Sequence, residues 1–342
     1  MRKVVVLLGL LLSFMGLAQE TEEPAETPAL ALQQAFHLAQ ASDADLLSAR
    51  SDLQSAQRDL TRIQADPLAL RLDTLQAEQA VAAAQAKLVS TQIATQVDLA
   101  DAFSAALEAD ETLSLAQRKE AIASQTLEAQ KIRLQAGAVT QIDVDKANND
   151  YQAALRDSVD AQASRALAYA QLSSLLGQAA SSLEPLTDDL LTLPNLDEVK
   201  TRAQGQNAQL LATSRNVEFL TARLAAVDNA FSARSEIEAA KDNLESAQIA
   251  YSESLRTLDL NVQNSYNGVL SAQTRYESAL ANYATALADL SAQKTRLDAG
   301  SISPLSYAQS ELSFQTTTSS LNSAKHAFYL SLLRLEQTVV GQ

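Results

Sequence analysis

Cysteine and tryptophan are absent from the 342 residues, and glycine (eight), proline (six) and histidine (two) are scarce. Without a thiol there is neither a disulfide framework nor a thiolate metal site. His37 and His326 stand in unrelated helical contexts without metal-ligand spacing, so no metal and no cofactor is expected. No phosphate-cradling glycine loop, nucleophile elbow or zinc-binding His-Glu helix occurs, and the chain reads as a non-enzyme. Cationic clusters are missing too. The net charge is -15 and Lys and Arg are dispersed, which argues against nucleic acid as a partner. Scarce glycine and proline leave room for only a few chain reversals, and the apolar fraction is mostly Ala and Leu. Helices far longer than the usual three turns follow.

Long apolar runs are confined to the start. Met1-Arg2-Lys3, the apolar stretch Val4 to Leu17 and the small-residue exit Gly16-Leu17-Ala18 read as a secretory signal peptide, residues 1–18. The run is shorter than the ~20 residues of a membrane-spanning helix. Residues 19–30, with Glu20, Glu22, Glu23, Pro24, Glu26 and Pro28, suit a disordered acidic leader.

Helical periodicity begins near Ala31. Leu46, Leu53 and Leu60 recur every seven residues, with Ala49, Ala56 and Ile63 between them, as in a coiled-coil seam. Asp66-Pro67 is the first break. From Leu68 to Ala136 no proline or glycine intervenes, a run of roughly 100 Å at 1.5 Å per residue. Helix resumes from Ile142 to Leu176, where Gly177 stops it. Ser181 to Asn195, with Pro185, Pro194 and the Asp188-Asp189 pair, reads as linker. A second long helix ends at Asp298. Its face Leu244, Ala247, Tyr251, Leu255, Leu258, Val262, Tyr266 and Val269 steps by three or four, and a weak point falls near Asp228-Asn229. The last helix carries Phe314, Leu321, Phe328, Leu332 and Leu335. Narrow apolar stripes flanked by Ala let each helix approach two neighbours, which favours self-associating tubes or sheets of helices over a globular interior.

The chain is organised around a repeated stretch. Ala129-Gln-Lys-Ile-Arg-Leu-Gln-Ala-Gly137 returns as Ala292-Gln-Lys-Thr-Arg-Leu-Asp-Ala-Gly300, with seven of nine positions identical. Each copy ends in a glycine suited to the left-handed helix stop and is followed by a hydroxyl residue that can restart a helix. Thr140 with Asp143 reads as a capping box, and Ser303-Pro304 as an N-cap before a first-position proline. The offset of 163 residues also pairs Arg71 with Arg234, Phe103 with Tyr266, Leu107 with Leu270, Ile142 with Leu305 and Tyr151 with Phe314. The expected organisation is therefore all-α: very long antiparallel helices in a coiled-coil hairpin bundle with two internal repeats, at 31–178 and 207–342, joined by a linker at 179–206.

Arg133-Leu134-Gln135-Ala136-Gly137 through Ile142-Asp143-Val144, Tyr151, Leu175-Leu176-Gly177, and again Arg296 to Gly300, Leu305 and Phe314, give a whole-chain pattern that resembles the TolC-like outer-membrane efflux proteins. The resemblance implies a homotrimeric, hollow periplasmic α-barrel working with a periplasmic adaptor (membrane fusion) protein and an inner-membrane pump, in an exported location at the periplasm or outer membrane of a diderm bacterium. It implies that Arg133, Leu134, Gly137, Arg296, Leu297 and Gly300 meet the adaptor. Ser306 and Gln309 stand where family members often carry aperture acids, so Asp143 and Asp145 are the acids available here. Family members also insert β-strand pairs between the first and second long helices of each repeat. Around Ala65 to Leu72 and Val227 to Ser235 nothing approaches the ~9–11 alternating residues of a membrane strand, so the tube is expected without its membrane barrel and without direct membrane insertion. Two functions remain open: an adaptor-dependent conduit of a tripartite efflux or type I secretion system, or a non-conducting periplasmic spacer or envelope tether on the same scaffold.

Overall fold

The computed structural model describes residues 29–341. The expected signal peptide, and the leader up to Pro28, lie outside them. Eight α-helices make up the described chain: α1 (Leu32–Ser42), α2 (Ala44–Ala65), α3 (Arg71–Gln135), α4 (Gln141–Leu176), α5 (Leu196–Gln206), α6 (Ala208–Val227), α7 (Arg234–Asp298) and α8 (Pro304–Val340). The all-α expectation holds, and among the described residues β-structure is limited to one isolated parallel bridge between Leu30 and Leu183.

The two long helices have 65 residues each, about 98 Å at 1.5 Å per residue. They set the frame. α3 packs on α2, α4, α6 and α8, and α7 packs on α6 and α8. Two shorter helices share each remaining line, stacked end to end. A Cβ on Gly177, at the end of α4, would sit 3.1 Å from Ser42 Cβ just before α2, and one on Gly341, at the end of α8, would sit 2.9 Å from Asn207 Nδ2 just before α6. Asn207 secures the second junction. Its side chain caps the Leu210 N–H at 3.1 Å and donates to the Thr338 carbonyl at 3.2 Å. The result is a strip four helix lines wide, in the order α4 with α2, then α3, then α8 with α6, then α7.

Burial follows the apolar stripes read from the sequence. Leu258, Val262 and Val269 of α7 are buried with Phe328, Leu335 and Val339 of α8, while Phe103, Leu99 and Ala100 of α3 close on Leu172 and Leu176 of α4. Between them these two clusters occupy the middle of the strip.

Three details depart from the sequence reading. Asp43 divides the first helical stretch in two, because its carboxylate accepts the Asp45 and Leu46 N–H groups at 2.8 and 3.1 Å and the Thr95 hydroxyl at 2.6 Å. The stretch 179–206 is not all linker. Its second part is α5, capped by Asn195, and Val199 and Ala203 are fully buried in the second cluster. The leader also reaches into the fold at its end, since Leu30 exchanges backbone hydrogen bonds of 3.0 Å with Ser182 and Glu184.

Candidate functional site

The repeated nonapeptides form the same helix stop twice. In the first, the Gly137 N–H donates to the Leu134 carbonyl and the Ala138 N–H to the Arg133 carbonyl, both at 2.9 Å, with Gly137 at φ 73°. In the second, the Gly300 N–H donates to Leu297 at 2.9 Å and the Ser301 N–H to Arg296 at 2.8 Å, with Gly300 at φ 69°. These are Schellman motifs, which explains the Arg-Leu-x-x-Gly spacing: the two carbonyls that need donors belong to Arg and Leu, and only glycine takes the left-handed position without strain. Arg133 and Arg296 lie in the last turn, where a cation complements the helix dipole. Both are exposed, as are Gly137 and Gly300, whereas Leu134 and Leu297 are half-buried. Leu134 and Tyr151 pack on a small cluster of Leu127, Val144 and Ala147 that stiffens the first bend. Near the second, Lys294 Nζ lies 5.7 Å from the Tyr307 ring, and farther along the same hairpin the Tyr283 and Phe314 rings meet at a tilt of 40° with centroids 5.4 Å apart.

The restart after each bend is capped as the sequence predicts. Asp143 Oδ2 accepts from the Thr140 N–H and hydroxyl, both at 2.8 Å, and the Thr140 hydroxyl accepts the Asp143 N–H at 3.4 Å. The Thr140 N–H, then its hydroxyl, then Lys146 hold the Asp143 carboxyl below its ordinary value. Asp145 is exposed and accepts from the Gln141 side chain at 2.8 Å. Ser303 caps the Ser306 N–H at 3.1 Å ahead of Pro304.

Helix register places both bends at one end. The pairs Arg118–Glu311, Glu111–Asn322 and Glu108–His326 advance in opposite chain directions on α3 and α8. Gly137 lies 19 residues beyond Arg118 and Gly300 lies 11 before Glu311, about 28 Å and 16 Å along the same direction. The six residues expected at the bends thus share one end of the strip, in two groups staggered by about 12 Å. At the other end α3 and α6 are joined by the Gln79 side chain donating to the Arg215 carbonyl at 2.7 Å. The α2–α3 and α6–α7 reversals project beyond it as short turns.

A polar belt across the middle was missed by sequence reasoning. Asp110 on α3 accepts from Arg165 and from the Tyr169 hydroxyl on α4. Glu108 meets His326 at 3.0 Å, Glu111 accepts from Asn322, and Arg118 pairs with Glu311. Burial, and then the bond to Asp110, push the Tyr169 phenol up to about 12, and the same carboxylate raises the Arg165 pKa. The acidic run Glu108-x-Asp110-Glu111 inside a helix was the available signal. Its partners lie 55 to 218 residues away, so only tertiary register reveals them. Within the described residues no group of His, Cys, Asp or Glu is arranged to hold a metal ion, and no helix is long and apolar enough to cross a membrane.

Residues 67–178 match the family model described as outer membrane efflux protein. No curated protein matches the sequence. Solved structures share the fold over almost the whole chain. The open-state MtrE outer membrane channel of Neisseria gonorrhoeae is 15% identical, with 91% of this chain and 89% of that one covered and a TM-score of 0.62. The CmeC outer membrane channel of Campylobacter jejuni is 11% identical, with 90% and 85% covered and a TM-score of 0.63. A membrane protein of Pseudomonas aeruginosa is 14% identical, with 90% of each chain covered and a TM-score of 0.62. Across α3 and α4 the chain is thus similar to the outer membrane efflux proteins, and along the whole strip it shares the fold of solved outer-membrane channels, with no β-strand pair among the described residues.

Proposed function

We propose that the chain is a conduit component of a tripartite efflux or type I secretion system, three copies closing a helical tube whose glycine-bend end docks a periplasmic adaptor protein served by an inner-membrane pump. The observation that carries this reading is the pair of open edges on the strip. α3 and α8 are covered on both sides, whereas α4 and α7 each have a single long-helix neighbour. Both edge helices expose large apolar side chains: Val159, Leu167 and Leu175 on α4, and Ile249, Leu260, Leu280 and Leu287 on α7. Two different edges are satisfied by head-to-tail contacts that close into a ring. At the bends, Arg133, Leu134 and Gly137 with Arg296, Leu297 and Gly300 offer a helical adaptor tip two cations beside two half-buried leucines. Asp145, and Asp143 within its cap, are the acids that would face an aperture. The reading places the protein in the periplasm or at the outer membrane after export.

The absence of a strand pair from both reversals at the opposite end favours a second reading, a non-conducting spacer or tether built on the same tube. Charge reversal at the bends separates the two. Arg133→Glu with Arg296→Glu leaves the glycine stops intact and should abolish cross-linking to the adaptor and raise drug accumulation while the trimer persists. Unchanged cross-linking would reject the docking assignment, and a deletion strain with normal drug accumulation but a defective envelope would favour the spacer.

A further inference from the structure

The two reversals opposite the glycine bends are copies of one turn. In the first, the Asp66 carboxylate accepts the Leu68 N–H at 2.9 Å and the Asp66 carbonyl accepts the Ala69 N–H at 3.1 Å. In the second, the Asn229 side chain accepts the Phe231 N–H at 2.9 Å and its carbonyl accepts the Ser232 N–H at 3.3 Å. The positions correspond at the 163-residue offset, so Leu68 and Phe231 are equivalent. They are also the two most exposed large apolar residues described, at 86% and 101% exposure, with Leu70 beside Leu68 at 67%. Arg71 and Arg234 follow each by three residues and are exposed at the helix starts.

The tips are close to level. From the Gln79–Arg215 contact, the α3 start lies eight residues away and the α6 end twelve, about 12 Å and 18 Å in the same direction. Each tip is a convex point rather than a groove or a face. Protein partners take hydrophobic cores that fit together over hundreds of Å², whereas isolated protruding Leu and Phe side chains suit a fluid boundary that closes around them. The turns are far shorter than the ~9–11 residues of a spanning strand, so they can enter a bilayer interface but cannot cross it.

We propose that the Leu68–Leu70 and Phe231 tips seat this end of the molecule in the interfacial layer of a lipid bilayer, as shallow apolar wedges. The proposal rests on the tube reading for which end of the strip faces the membrane and for the ring of copies that multiplies the wedges. Asp66, Asp73, Asp228 and Glu236 stand near Arg71 and Arg234, and Arg234 is paired with Glu238 at 2.9 Å. Acids thus outnumber the two arginines, so insertion is driven by apolar burial and gains nothing from anionic headgroups. Binding therefore extends to neutral lipid, where it changes little with salt. In a ring of chains the weak wedges act together, and binding to vesicles strengthens through multivalency.

The chain has no tryptophan, so single-tryptophan variants of the full chain report each position alone. With phosphatidylcholine vesicles, and with vesicles containing phosphatidylglycerol, Phe231→Trp and Leu68→Trp should shift their emission to the blue and be quenched by brominated lipid. Ile142→Trp, at the opposite end, should do neither. The triple variant Leu68→Ser, Leu70→Ser, Phe231→Ser should keep its helicity and weaken vesicle partitioning at least tenfold, about 1.4 kcal/mol. Water-like emission at both tips in the presence of vesicles overturns the proposal, as does an equal shift at Ile142→Trp. Tip-dependent doubling of the particle mass without vesicles overturns it in favour of a second copy. Oligomeric mass is measured in the same samples, so a trimer that ignores vesicles refutes the wedges alone, and a chain that inserts as a monomer refutes the tube alone.

Discussion

Replacing Gly137 and Gly300 by alanine isolates the cost of the left-handed helix stop. A Cβ at either position meets nothing within 4 Å, so steric crowding contributes nothing. What remains is the backbone penalty of φ near +70°, about 1–2 kcal/mol for an L-residue. Gly177→Ala carries the same penalty and adds contacts of 3.1 and 3.3 Å to Ser42, so its loss should exceed the other two, at about 2–3 kcal/mol. Gly268 lies inside α7 with no neighbour near its Cβ. There alanine should stabilise by about 0.5–1 kcal/mol, through reduced freedom of the unfolded chain. The bends lie about 12 Å apart along the axis, so the Gly137→Ala, Gly300→Ala pair should be additive within about 0.5 kcal/mol. Urea unfolding followed by far-ultraviolet circular dichroism, at one fixed protein concentration, reads all five variants. Asparagine, which tolerates the left-handed region, should recover part of the loss at Gly137 and Gly300. If Gly137→Ala and Gly300→Ala matched Gly268→Ala in sign, the Schellman geometry at the bends would be wrong.

Three further outcomes follow from the belt and the caps. Tyr169→Phe removes one hydrogen bond to Asp110 while leaving Arg165 in place, and should cost about 1 kcal/mol in the same unfolding assay. Because the Tyr169 and Tyr329 phenols are raised from 10.0 to about 12, the neutral forms stabilise the fold. That stability is fully present below about pH 10 and is lost as pH rises toward 12, which absorbance titration beside alkaline unfolding will show. The Asp143 carboxyl should titrate below 3.8 by NMR. Its depressed pKa contributes stability above the unfolded value that is lost as pH falls through the folded one, and Thr140→Ala should move the titration back toward 3.8.

The long helices and both bends were legible because they depend on local chemistry. Sixty-five residues without proline leave α3 and α7 uninterrupted, and Arg-Leu-x-x-Gly specifies its own stop. The nonapeptide recurs at Ala292–Gly300, so the second bend could be read from the same signal as the first. Features that depend on distant partners were not legible. Val199 and Ala203 in α5 carry too short a pattern to outweigh the neighbouring prolines, and their burial is supplied by α7 and α8. Asp43 reads as one more helix-surface acid until Thr95, 52 residues on, is placed beside it. The belt around Asp110 needs the register of α3 against α4 and α8. The tips at Leu68 and Phe231 showed only as missing strands, because exposure cannot be read from composition.

The central claim, that these strips close edge to edge around a duct, is tested most directly by the mass and shape of the assembled particle. Light scattering should return three times the mass of the exported chain, the 36.6 kDa sequence less its expected signal peptide. Electron microscopy of the same sample should show a hollow threefold tube with the Gly137 and Gly300 bends together at one end. A monomer, or a solid bundle without a central channel, would contradict the account.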